Sequence, residues 1–119
     1  MQEYVGENRQ RNVMPAELFA DLAERLKSGT LRVAVRLLPN NGNTTLIGDL
    51  TCLSRFVFGG KDYDVLSLVV AEPIRRSYSS AVPTQKRNVN RTCPLEAVST
   101  IQIFGYGENK NKFATVYSR

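Results

Sequence analysis

The stretch that decides the fold runs from residue 15 to residue 38 and reads PAELFADLAERLKSGTLRVAVRLL. Its first part repeats apolar residues every three or four positions, which predicts an amphipathic helix over 15–28. Pro15 suits the start of that helix and Gly29 its end. After Gly29 the apolar residues alternate with other residue types, which predicts a strand over 31–38 with one buried face. The residues of the helical stripe are Leu18, Phe19, Leu22 and Leu26.

Downstream of this stretch, short apolar runs alternate with turn residues. The runs predict further strands at 44–50, 65–71, 98–104 and 113–117, the last two as a C-terminal hairpin, and the run at 52–58 either continues or follows the strand at 44–50. Gly48 is a candidate bulge or bend within the first of them. The fold class that follows is α+β, with one N-terminal amphipathic helix packed on a mostly antiparallel sheet of five to six strands. Such a sheet is either open or curled into a small barrel.

The composition predicts one globular domain. The chain has 119 residues, of which 42% are hydrophobic and 23% charged, and both fractions are ordinary for a single soluble domain. We expect a polar N-terminal tail over 1–13 and an α+β domain over 14–119. No apolar run approaches the ~20 residues that a membrane span requires, and no secretory signal is apparent. The expected location is the cytoplasm, or the inside of a virion if the source is viral.

The excess of positive charge is concentrated in one segment. The formal net charge is +5, and residues 73–94 hold five cations and no acidic residue. Without that segment the chain has eleven basic and eleven acidic residues. Its prolines, and a length above the ~12–15 residues usual for a structureless loop, predict a long basic loop of functional importance. The five cations are Arg75, Arg76, Lys86, Arg87 and Arg91.

Uncompensated cations in a flexible segment are typical of sequence-independent binding to a polyanion, since displaced counterions supply the affinity. Arg32 and Arg36 share the predicted outward face of the first strand, and Arg55 lies beside two phenylalanines. Tyr78 and Tyr106 lie in or next to loops, where rings can stack on unpaired bases. The leading hypothesis is therefore a small non-enzymatic protein that binds DNA or RNA, single-stranded or of RNA type, through phosphate contacts.

Three other interpretations of the basic segment stay open at this point. The segment could bind an acidic protein surface, or it could be a solubilising loop without a partner. The main alternative is a structural or assembly protein, such as a small viral or phage core component. Such a protein would form a homo-oligomer and use the basic loop for contacts with a genome or a neighbouring subunit.

Enzymatic chemistry is poorly supported by the residue inventory. The chain has no His and only two Cys, so imidazole acid–base catalysis and zinc sites built from Cys and His are excluded. Asp62 and Asp64, with Asp49 nearby, could bind a divalent cation through oxygen ligands, but a solvated turn is the favoured interpretation. Phe104-Gly105-Tyr106-Gly107 is similar to the aromatic strand of RNA-recognition motifs, although a glycine-rich hairpin corner is the favoured interpretation. We expect no catalysis, no cofactor and no metal.

Overall fold

A computed structural model of the chain describes residues 11–42, 44–73 and 86–119. These ranges form one helix and an antiparallel sheet of six strands in the order β4-β3-β2-β1-β5-β6. The predicted α+β fold is confirmed in its open-sheet form. The elements are α1 (Ala16–Leu26), β1 (Leu31–Leu37), β2 (Thr45–Phe58), β3 (Lys61–Pro73), β4 (Lys86–Pro94), β5 (Val98–Phe104) and β6 (Phe113–Ser118).

Helix α1 is the predicted amphipathic helix, shortened by about one residue at its start and two at its end. Its first intrahelical bond runs from the Phe19 N–H to the Pro15 carbonyl at 3.0 Å. Leu22 is fully buried, and the other residues of the stripe pack against the core. The helix therefore covers one face of the sheet, which we call the inner face. The opposite side is called the outer face.

The β2–β3 hairpin is longer than the sequence predicted. The segment 52–58 continues the strand predicted at 44–50, so that the two form one strand, β2, with a bulge between Leu50 and Cys52. Gly48 is not the bulge; instead, a Cβ at this position would lie 2.3 Å from the Val69 carbonyl oxygen. Glycine is needed here because the neighbouring strand approaches so closely. The absence of its side chain lets β2 and β3 pair at this position.

The prediction of one long basic loop over 73–94 is wrong for residues 86–94. These residues form β4, which pairs with β3 from Val65 opposite Pro94 to Pro73 opposite Lys86. Without β4, the backbone N–H and C=O groups along one side of β3 would lack partners. The basic side chains of β4 do not prevent pairing because they extend away from the shared backbone bonds. Residues 74–85 lie outside the described residues.

The sheet is strongly coiled, as its connections require. β4 ends opposite Val65 and β5 begins opposite Leu37, with only residues 95–97 between them. In a flat sheet these points would lie nine residues apart along the strands, or about 30 Å. Four peptide units span at most about 14 Å. Coiling brings the points together, and the Leu38 N–H bonds to the Ala97 carbonyl at 2.9 Å.

The core lies between α1 and the inner face of the coiled sheet. Its fully buried members come from the helix and the residue Met14 before it, the four inner strands and the turn at 95–97, and Asp64 is the one charged residue buried among them in the described chain. The largest are Met14, Leu22, Leu50, Leu66, Leu68, Leu95, Ile101 and Ile103. Among the residues described, no helix has the length and apolar character needed to cross a bilayer.

Candidate nucleic-acid interface

The outer face of the sheet is left uncovered by the described part of the chain. Alternation along the strands places on it side chains whose neighbours in sequence point into the core. Ile47 is 47% exposed there although the preceding and following residues are not. Phe56, Phe58 and Phe104 are likewise 48%, 72% and 46% exposed. Groups of exposed large apolar side chains mark an interaction surface more often than isolated ones do.

Three aromatic rings cluster at the tip of the β2–β3 hairpin, on the outer face. Phe56 pairs with Tyr63 across the strands, and their ring centroids are 6.1 Å apart at an interplanar angle of 24°. Phe58 contacts the same tyrosine edge-on at 6.4 Å. The Gly59-Gly60 turn has positive φ at both positions, which gives the twist that a tight two-residue hairpin needs. We call Phe56, Phe58 and Tyr63 the aromatic hairpin.

A second aromatic pair lies on the same face, on the β5–β6 hairpin. Phe104 and Phe113 are cross-strand partners with ring centroids 5.4 Å apart and an edge-to-face angle of 67°. Phe104 follows Ile103, the partner of Val33, so it lies at the level of Arg32 on the neighbouring strand. The pair is therefore next to a cation of β1. We call Phe104 and Phe113 the aromatic pair.

The charged residues of the outer face are mainly cations. Four cations share this face with one carboxylate, Asp49, whose Oδ1 lies 3.6 Å from Arg32 Nη1. That ion pair is about half exposed on both sides, so it neutralises little at physiological salt. The surface thus has a net positive charge next to exposed rings. The four cations are Arg32, Arg36, Lys61 and Lys86.

A groove of about 1020 Å³ opens beside the aromatic hairpin. Lys61 and Tyr63 line one side, and the 39–41 turn lines another with the amides of Asn40 and Asn41. Asn12 contributes a further amide. The sequence placed Asn12 in a polar tail, but its carbonyl accepts a 2.8 Å bond from the Asp64 N–H of β3. The groove extends the polar part of the outer surface around the tip of the hairpin.

The predicted cations are divided between the two faces. Arg32, Arg36 and Lys86 lie on the outer face and are exposed. Arg87 and Arg91 point to the other side of β4, where Arg91 is paired with Glu72 through Nε at 2.9 Å and through Nη2. Arg91 is thus compensated by a carboxylate that lies one residue outside the segment 73–94. Arg75, Arg76 and Tyr78 lie outside the described residues.

Arg55 has a structural role that the sequence did not predict. Its Nε and Nη2 donate to the two carboxylate oxygens of Asp64 at 2.6 and 2.9 Å, and its guanidinium lies 4.3 Å above the Phe19 ring. The bond to Asp64 raises the pKa of Arg55. Asp64 is fully buried and also accepts from the Met14 N–H at 2.8 Å. Arg55 and Asp64 therefore fasten the start of the helix to the sheet.

Tyr106 is also committed to internal contacts. Its hydroxyl donates to Asp21 Oδ2 at 2.6 Å, and the Arg25 guanidinium lies 4.6 Å from the centroid of its ring. The flanking Gly105 and Gly107 have φ of 76° and 62°, as a hairpin corner requires. The favoured interpretation of this motif as a corner agrees with these angles. Tyr106 ties the β5–β6 turn to α1 and is not presented for stacking.

We expect Tyr106→Phe to lower the free energy of unfolding by about 1 kcal/mol at pH 7. The loss is modest because the hydrogen bond between Tyr106 and Asp21 is partly exposed. The bond from Tyr106 lowers the pKa of Asp21, and the bond to Asp21 raises the pKa of Tyr106. The contribution is therefore complete between about pH 5 and 9 and is lost as the pH falls through the lowered carboxyl pKa. Urea unfolding of both proteins at pH 7 and pH 3 measures this. An equal difference at the two pH values would contradict it.

The acidic residues considered for a metal do not lie together. Asp64 faces the interior and bonds to Arg55, whereas Asp62 is exposed near the hairpin tip. Within residues 11–42, 44–73 and 86–119, no group of three or more His, Cys, Asp or Glu could hold a metal ion. Cys52 and Cys93 are free thiols, the first exposed and the second buried. Burial raises the pKa of the Cys93 thiol.

Sequence reasoning missed most of this surface. It did not include Phe56, Phe58, Lys61 or Phe113 among the candidate binding residues. The signal was present in the Gly59-Gly60 turn, because a two-residue turn fixes the register of the strands it joins. That register pairs Phe56 with Tyr63 and places both rings on one face.

No protein-family model, curated protein or solved structure matches this chain. Its function is therefore argued from the geometry and charge of the described residues.

Proposed function

We propose that this protein binds single-stranded nucleic acid on the outer face of its sheet. The observation that carries the proposal is the aromatic hairpin, whose phenylalanine rings are exposed and which carries the cation Lys61 opposite Phe58. Flat rings next to positive charge are the elements that single-strand binders use, because bases stack on the rings while cations contact the phosphates. Each stacked base contributes roughly 1–3 kcal/mol by alanine substitution. The role is one of binding, without catalysis.

The exposure of the rings favours unpaired over paired strands. Phe58 is 72% exposed at a hairpin tip, and its ring can stack only on a base whose face is accessible. In a duplex each base face is already covered by its neighbours in the stack. The phosphate contacts would act on duplexes as well, but weakly and without the stacking contribution. Affinity for a single strand should therefore exceed affinity for a duplex of equal length.

Four cations on the outer face supply the electrostatic part of the affinity. Arg36 lies on the central strand β1, Lys61 at the hairpin tip and Lys86 on the edge strand β4. For the described residues, we therefore assign phosphate binding to these cations of the sheet rather than to one basic loop. The sugar–phosphate backbone of a bound nucleic acid would cross several β-strands of the sheet rather than follow one segment of the protein chain.

The test is a fluorescence-anisotropy titration of labelled oligo-dT and oligo-rU between 50 and 200 mM salt. On single strands log K falls by about 0.7 per phosphate contact for each unit of log salt. Arg36→Gln/Lys61→Gln should therefore make the slope shallower by about 1.4. Lys27→Glu removes the same net charge from the end of the helix, where the side chain is 74% exposed, and should leave the slope unchanged.

Two results would contradict the proposal. One is the absence of binding to any single strand at micromolar protein and 50 mM salt. The other is an equal loss of slope in the double variant and in Lys27→Glu, which would mean that only the net charge matters. If light scattering then showed a stable closed oligomer, the assembly protein considered from the sequence would be the better description. Tight binding to an acidic protein would favour the other alternative.

A further inference from the structure

The two aromatic sites lie on the same face but at different strands and levels of the sheet. Phe104 is level with Arg32 on β1, and Arg32 pairs with Asp49 on β2. From Asp49, six register steps along β2 lead to Phe56 of the aromatic hairpin, with one additional residue in the bulge. Two strand spacings and six residues correspond to about 20 Å along the sheet surface. A segment of a few nucleotides can span this distance.

We infer that one single strand contacts both aromatic sites, passing from the aromatic pair across Arg32 to the aromatic hairpin. The inference rests on the proposed function and adds the path and length of the ligand. A stacked strand rises about 3.4 Å per nucleotide, so at most about six nucleotides fit between the two sites. With one or two bases at each end, the site covers about eight to ten nucleotides. Small β-sheet domains of the OB-fold type bind about 4–16 nucleotides.

The surface between the two aromatic sites is suited to a passing sugar–phosphate backbone. Between Asp49 and Phe56, the bulge residue Thr51 is exposed and Cys52 and Ser54 lie on the outer face of β2, and all three side chains are small. The Cys52 Sγ and Ser54 Oγ atoms lie 3.3 Å apart. Arg32 lies at the start of the path, where it can exchange its exposed contact with Asp49 for a phosphate. No large side chain of the described residues on β2 separates Asp49 from Phe56 on this face.

Calorimetric titration with oligo-dT of 3, 6, 9 and 12 nucleotides tests the path through affinity and stoichiometry. We expect each protein molecule to bind two trinucleotides but only one 9-mer. The affinity should rise steeply between the 3-mer and the 9-mer. Phe104→Ala should weaken the 9-mer and 12-mer by about 5- to 150-fold, the value of one stacked base. Val57→Ala is the control, since Val57 is 68% exposed on the opposite side of the hairpin. Circular dichroism establishes that each variant is folded.

Cys52 provides a second measurement that does not depend on a substitution. Its thiol is exposed on the path, whereas Cys93 is 4% exposed and its pKa is raised by burial. A maleimide should therefore modify Cys52 first. Bound 12-mer should slow this modification severalfold, and bound trinucleotide should slow it much less. Trinucleotides occupy the aromatic sites but leave the thiol between them accessible.

The results separate failure of the path from failure of the proposed function. If two 9-mers bind per protein, or if Phe104→Ala binds the 12-mer as wild type does, the two aromatic sites are not bridged. The same holds if the 12-mer leaves Cys52 fully reactive. In each case single-strand binding itself is retained. If oligonucleotides of every length fail to bind, the proposed function fails first.

Discussion

Arg55→Met is expected to lower the free energy of unfolding by about 3–5 kcal/mol, because it leaves a buried carboxylate without its cation. Asp64 is fully buried, and two of its bonds come from the Arg55 guanidinium at 2.6 and 2.9 Å. Methionine retains most of the apolar length that packs on Phe19 but cannot donate a hydrogen bond. The remaining partner, the Met14 N–H, neutralises no charge. Urea denaturation at pH 7 measures the loss.

The same pair offers an internal control for the origin of the effect. Adding Asp64→Asn to Arg55→Met removes the buried charge but keeps an oxygen that can accept from the Met14 N–H. The double variant should therefore be more stable than Arg55→Met alone, which reverses the usual outcome of a second core substitution. Asp62→Ala, on the exposed side chain two residues away, should have little effect. A double variant less stable than the single one would show that packing, rather than the unpaired charge, dominates.

The elements with strong local periodicity could be predicted from the sequence, because burial on one side imposes the pattern. The stripe of α1 and the alternation in β1 are of this kind, and β5 was predicted at its observed bounds. Strand β4 carries no such pattern. Its inward positions include Arg87 and Arg91 as well as Val89 and Cys93. It is a strand because β3 provides a long partner, and that is a property of the whole sheet.

The site was harder to predict than the fold because alternation does not show which face is covered. An 11-residue helix is about 16 Å long, whereas the 14 residues of β2 extend about 46 Å. The hairpin tip therefore projects beyond any cover that α1 can provide. Even Val57, on the inner side, is 68% exposed there. Alternating phenylalanines look like core in the sequence, but Phe56 and Phe58 lie on the outer face, opposite the helix, and so form part of a surface.

The set of cations that lack an acidic partner also changes once the pairing of the strands is known. Counting along the sequence gave residues 73–94 five uncompensated cations, but Glu72 lies just outside that boundary and pairs with Arg91. Arg55 was assigned to a ligand although Asp64 is its partner across a two-residue turn. The cations left on the outer face come from three different strands. Cross-strand neighbours, rather than neighbours in sequence, determine which positive charges are available to a ligand.

Phe56→Ala/Phe58→Ala is expected to weaken binding of a single strand by about 2–6 kcal/mol, or at least about 30-fold, since each ring stacks on a base. The free energy of unfolding should change by less than about 1.5 kcal/mol, the value of ring contacts between exposed aromatic residues. Val57→Ala is the matched control, because it removes an equally exposed apolar side chain from the other side of the hairpin. Anisotropy with a 12-mer at 100 mM salt measures both variants.

Phe58→Trp distinguishes stacking from a general apolar contact at the same position. The chain contains no tryptophan, so the new indole is its sole source of tryptophan emission. A base stacked on the indole should quench that emission in step with the anisotropy change, and affinity should equal or exceed that of the wild type. Phe58→Leu retains apolar area without a π-face, and it should therefore lose most of the affinity that a Phe58→Ala variant loses. Full affinity in Phe58→Leu would mean that the hairpin binds an apolar partner surface instead of bases.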